Sequence, residues 1–198
     1  MRSVLAAVLV ALSVVMSACG GPQEFTGARL DQPYTVPDVP LTATDGSTYS
    51  LAKDTDKPLT LVFFGYTHCP DLCPLVMSSL SAGLNQLNDA DRAKVDMVFV
   101  TTDPARDDEA ALRSYLDKYG EGFIGLTGPL EDIVRLGEPM HLYVSDGKKL
   151  PGGGYDLGGH TTAVLGIGTD HEVHTVWTDK TSASAYADDI RTLLDEDS

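Results

Sequence analysis

The chain has 198 residues, 14 of them Lys or Arg and 29 Asp or Glu, for a formal net charge of -15 and a sequence pI near 4.4. That negative excess excludes the basic footprint that nucleic-acid backbones and anionic lipid surfaces require, so no nucleic-acid partner is expected. With 42% hydrophobic and 22% charged residues, the chain is neither a disordered acidic polymer nor a multi-span membrane protein, and one globular domain with an extension accounts for its length.

The extension comes first. Met1-Arg2-Ser3 leads into an uncharged apolar run from Val4 to Met16, too short to span a bilayer comfortably and of the length of an export-signal core. It ends in Met16-Ser17-Ala18-Cys19, which resembles a bacterial lipoprotein lipobox. The resemblance implies removal of residues 1–18, lipidation of Cys19 and a cell-membrane location, with the domain facing the periplasm or the cell exterior. Residues 19–32 contain Gly, Pro and polar residues without an apolar period and are expected to form a flexible tether, with the folded domain running from 33 to 198.

Leu41 to Leu51 alternates around Asp45-Gly46 and predicts an N-terminal β-hairpin. Leu59 to Tyr66 (LTLVFFGY) is an unbroken apolar and β-branched run, the pattern of a strand covered on both faces. Leu80, Leu84 and Leu87 recur at helical spacing within 75–88, and Val95 to Val100 predicts the next strand. A second helix is expected over 107–119, a short third over 130–136, and an extended piece at 142–144. Two strands follow, Thr162 to Gly168 and Glu172 to Trp177, separated by a turn at Thr169-Asp170-His171, and a terminal helix covers 183–194. This order predicts an α/β domain, a sheet covered by helices on both faces.

The chemistry concentrates in Phe63 to Pro74, FFGYTHCPDLCP. Cys69 and Cys73 follow a buried strand and open a helix, at the carboxyl end of a strand where open α/β sheets place their sites. If Pro74 is the first helical residue, Cys73 is the cap, and both sulfurs lie near the positive end of the helix dipole, which favours thiolate. A disulfide closing so short a loop would stabilise little, so an inert staple is the weaker reading. Thiolates so placed serve disulfide exchange or soft-metal ligation.

Two thiolates need company to complete a metal site, and the chain has five histidines. His68 adjoins Cys69 but its side chain is expected to diverge from it. His171 and His174, three positions apart across a turn and a strand, point to opposite faces and read as surface residues. His141 is expected to be capped or packed. His160 lies in YDLGGHTT, where two glycines permit close backbone approach ahead of a strand; from the residues alone it reads as a ligand or as a structural histidine.

The pattern FxGYTxCPDxCP at Phe63 to Pro74 resembles the signature of the Sco/SenC family of copper chaperones for cytochrome oxidase assembly. Thr102-Asp103-Pro104-Ala105-Arg106-Asp107 is similar to the family's DPxRD segment, and His160 to its lone histidine before a later strand. Thr162 to Gly168 lacks the aromatic residues common there. The resemblance implies a thioredoxin-like fold with a central mixed sheet, a membrane-anchored domain, and copper, Cu(I) or Cu(II), held by Cys69, Cys73 and His160. It also implies a copper-bearing subunit of cytochrome c oxidase, or another copper recipient, as partner, and transfer in place of enzymatic turnover. The alternative is a thiol-disulfide oxidoreductase acting through Cys69 and Cys73. Against it stand three intervening residues where ordinary members have two, and no proline adjoining His160.

Overall fold

The computed structural model describes residues 24–144, 148–149, 155–156 and 162–196. Its centre is β4 (Leu59–Gly65), in which every residue is buried, as the apolar run requires. β4 pairs in parallel with β5 (Val95–Thr101), in register from Leu59 opposite Val95 to Gly65 opposite Thr101. The crossover between them carries α1 (Leu72–Leu84) and the short α2 (Asp89–Arg92). β5 pairs in parallel with β6 (Ile124–Thr127), after α3 (Glu109–Leu116), whose N-cap Asp108 accepts from the Ala111 N–H. The expected hairpin is present as β2 (Leu41–Ala43) and β3 (Thr48–Tyr49), and β2 extends the sheet beyond β6.

On the other side of β4 lie β9 (Ala163–Ile167), β10 (Glu172–Thr178) and, at the edge, β1 (Ala28–Thr35), all antiparallel. The eight-stranded order is β1-β10-β9-β4-β5-β6-β2-β3, and β7 (Lys148–Lys149) pairs with β8 (Tyr155–Asp156) separately. One face of the sheet buries Leu61, Phe63 and Phe99 against α1, α3 and the terminal α5 (Ala183–Glu196). The opposite face buries Val62, Phe64 and Val100 against α4 (Leu130–Gly137). The mixed sheet with helices on both faces is the architecture expected.

Three expectations are corrected. The tether does not reach Gln32: β1 starts at Ala28 and pairs with β10, and ahead of it the Thr26 and Gly27 N–H groups donate to the buried Asp189 carboxylate. β1 carries little strand signal because it is an edge strand, polar and carrying Pro33, a residue that edges tolerate. β6 is an unexpected strand, too short at IGLT to show a period. Conversely, 142–144 is not a strand; it follows a 3-10 turn at Glu138–Met140, where the His141 ring stacks 4.4 Å from that of Tyr34. No helix of the described residues is long and apolar enough to cross a membrane.

Candidate metal centre

β4 ends at Gly65, and the next turn carries the two thiols into α1. A side chain at 65 would place its Cβ 3.0 Å from Cys73 Sγ and 3.1 Å from the Phe99 ring, so this glycine leaves the space the sulfur occupies. The helix starts at Leu72 and not at Pro74, which makes Cys73 its second residue. Pro74 stays compatible, since N–H groups of the first turn need no intrahelical partner. Asp71, at the N-cap, makes no side-chain cap. Cys69 takes over that function: its Sγ accepts the Cys73 N–H at 3.3 Å.

Both cysteines are free, and their environments set them apart. Cys69 retains 8% exposure, whereas Cys73 is fully buried. Burial raises the Cys69 thiol, but hydrogen bonds from the Cys73 N–H, the Cys73 thiol and the Asp71 and Leu72 N–H groups outweigh it and hold it below the usual thiol range. For Cys73 burial dominates; despite a hydrogen bond from the Tyr66 backbone, with Cys69 and Asp107 adding to burial, its thiol is pushed well above that range. The expected lowering of both thiols therefore holds for Cys69 alone. Helix-start N–H groups converge on Cys69, while Cys73 points into the core. The Tyr66 hydroxyl beside them is pushed up to about 12, by burial first and then by the Cys69 charge.

The loop is held from behind by the segment after β5. Asp107, wholly buried, accepts from the Thr67 N–H at 2.9 Å, the Thr67 hydroxyl at 2.6 Å and the Thr101 hydroxyl at 2.7 Å. Thr102 donates its N–H to the Gly65 carbonyl at 2.7 Å. Arg106 pairs with the buried Asp103 through one carboxylate oxygen, and the other, Oδ1, has no hydrogen-bond partner. Thus the DPxRD-like segment clamps both ends of the turn leading to Cys69. In the sequence the segment is a family marker without any local sign of this mechanical role. The Thr67-Asp107 pair spans 40 residues, a separation no local pattern reports.

Of the candidate ligands, Cys69 and Cys73 lie side by side. His160, the third proposed ligand, and Cys19, the proposed lipid site, lie outside the described residues. His68 diverges from the thiols: its Nδ1 lies 3.0 Å from the Thr67 hydroxyl and 3.7 Å from Asp107, and its side chain is exposed. His171 is more than a surface residue, with its Nδ1 2.7 Å from the buried Thr55 hydroxyl.

A mixed sheet flanked by helices, with two thiols at the start of the helix that leaves its central strand, defines a thioredoxin-like protein with a paired-cysteine site. The SCO1/SenC family model matches residues 28–195, and the chain belongs to that family. It superposes on the apo Sco1 protein of Thermus thermophilus with a TM-score of 0.73 at 26% identity, over 89% of this chain and 99% of that one. On the copper-bound ScoI of Bradyrhizobium japonicum it does so with a TM-score of 0.66 at 29% identity, over 82% and 98%. The mitochondrial SCO2 homologue of Bos taurus is 31% identical over 132 residues, 66% of this chain and 49% of that protein. The chain thus spans about half the length of that relative, and 34% of the zebrafish (Danio rerio) SCO2 homologue, with 36% identity over 96 residues.

Proposed function

We propose that the chain is a copper metallochaperone that takes copper as cargo on Cys69, Cys73 and His160 and delivers it to the binuclear copper centre of cytochrome c oxidase. The observation that carries this reading is the thiol pair itself, free, one helical turn apart, with helix-start N–H groups favouring thiolate at Cys69. Two soft thiolates and one imidazole suit Cu(I), can also hold Cu(II), and leave a position open through which a recipient's ligand can enter. Zinc would accept the same donors, yet structural zinc sites are closed by four. Relatives and structural neighbours named as Sco proteins, including the copper-bound Bradyrhizobium structure, support copper. In this reading Cys19 carries lipid and holds the domain at the outer face of the cell membrane.

The reduced chain is expected to bind one copper, and oxidation of Cys69 and Cys73 to abolish binding. His160→Ala is expected to weaken binding while leaving the domain folded and able to form the Cys69-Cys73 disulfide. Copper stoichiometry unchanged after both cysteines become Ser, or affinity unchanged in His160→Ala, would overturn the ligand assignment.

The different settings of the two thiols also favour a second, compatible role. Cys69 thiolate can attack a partner disulfide, and Cys73, on losing its proton, can resolve the mixed disulfide. The partner gains two thiols and two electrons, and Cys69-Cys73 becomes the disulfide. The His160→Ala variant separates the roles, since thiol exchange does not need the imidazole.

A further inference from the structure

The sheet ends opposite the thiols in the β9-β10 hairpin, and three side chains converge there. Ligand atoms of Asp170, Glu172 and His174 all lie within 4.8 Å of one another. We propose that these residues form a second metal site, with a nitrogen and oxygen donor set suited to Cu(II), separate from the thiol centre and not dependent on the reading of that centre.

The backbone builds the convergence. Asp170 lies in the turn, and its Oδ1 accepts the Glu172 N–H at 3.1 Å. Glu172 and His174, two apart on β10, fall on one side of the strand. His174 is the extra residue of a bulge: Val173 stands opposite Ile167 and Thr175 opposite Gly166, leaving His174 unmatched between them. Bulges re-aim side chains in this way. The imidazole turns back toward the hairpin, with Nε2 2.8 Å and 3.0 Å from the two Asp170 oxygens. Gly168 lies beneath it; a Cβ there would meet the His174 ring at 3.2 Å and Asp170 Oδ1 at 3.3 Å.

A cavity of about 420 Å³ opens beside the cluster, and Asp170 and His174 form part of its wall. Its one arginine, Arg29, is bound at 2.7 Å and 2.9 Å to both oxygens of Glu196. That ion pair offsets the guanidinium charge on the cavity wall. The cluster gathers two of the carboxylates of a chain of net charge -15 with one imidazole. Such donors favour Cu(II) among divalent first-row ions and, lacking a thiolate, disfavour Cu(I). Ile167 pairs with Thr60 near the start of β4 and the thiols follow its end, so about 15 Å or more of strand separates the sites.

The test uses the full chain carrying Cys69→Ser, Cys73→Ser and His160→Ala, which removes the proposed thiol centre. Titration with Cu(II) alone, followed by calorimetry and electron paramagnetic resonance, should show one ion per chain with a single-imidazole signature. Adding His174→Ala should weaken it by about tenfold or more, and Glu172→Gln by about tenfold, as loss of a ligand costs no less than loss of an outer-sphere partner. His171→Ala should leave affinity unchanged. Circular dichroism checks folding, and if His174→Ala unfolds the chain, Glu172→Gln decides alone. A background chain that binds no Cu(II), or that binds it equally well after the His174 or Glu172 change, overturns the site; the second result marks an adventitious surface ion only.

Discussion

Cys69 and Cys73 carry the same thiol one helical turn apart, and the protein makes them chemically unequal. The cause is geometric: Cys69 precedes the helix and faces its unpaired N–H groups, whereas Cys73 sits inside the first turn with its sulfur in the space that Gly65 leaves. Cys69 therefore remains thiolate to a pH below the ordinary thiol value, while Cys73 holds its proton to a pH well above it. Iodoacetamide followed by peptide mass spectrometry should label Cys69 first at every pH near neutrality, with a midpoint below that of an unperturbed thiol. Equal labelling, or Cys73 first, would contradict the assigned environments. Metal binding requires both to deprotonate, so copper affinity should fall as pH falls.

Among the elements, α1 is positioned at both ends by contacts that its own sequence does not reveal. At its start, Asp107 holds the preceding turn through Thr67. Near its end, Gly83 packs on α5 so closely that a Cβ would stand 2.8 Å from the Ala183 carbonyl oxygen and 2.9 Å from Tyr186 Cβ. In an isolated helix, Gly to Ala is stabilising by about 1 kcal/mol. Here the added methyl meets backbone, and Gly83→Ala should instead destabilise the domain by about 1–3 kcal/mol, the range for overpacking. Urea denaturation monitored through Trp177, which packs on Tyr186 at a ring separation of 5.8 Å, gives the sign; a more stable variant would show that the two helices can move apart freely. The same region ties the chain together, because Asp189 of α5 accepts from the Trp177 indole at 2.8 Å as well as from Thr26 and Gly27 ahead of β1.

Across the whole molecule, the family domain occupies 28–195 and nearly all of the described residues, and the proposed anchor at Cys19 precedes it by nine positions. With β1 beginning at Ala28, the stretch from Cys19 to the fold is shorter than a tether reaching Gln32 would be. Under the proposed lipidation, so short a link would keep the domain close to the headgroups and raise its effective concentration at the membrane. In membrane fractionation, the parent chain should travel with membranes and Cys19→Ala should be released or stay unprocessed. Both partitioning as soluble protein would refute lipidation at Cys19.

The sequence by itself determined whatever is written in short-range patterns. The all-apolar Leu59 to Gly65 declared the central strand, Asp45-Gly46 the hairpin, and the cysteines around Pro70-Asp71-Leu72 the family and the candidate site. Each depends on residues within about ten positions of one another, where side-chain period and turn chemistry act directly. Only the tertiary structure decided the rest. β1 and β6 exist because distant strands offer them ladders, as their own residues carry little strand signal. The unequal thiols, the Asp107 clamp and the turning of His174 toward Asp170 arise from burial, from a 40-residue separation and from a one-residue slip in pairing. Hydrogen bonding and desolvation act through space, so residues remote in sequence settle the chemistry of a motif whose identity is local.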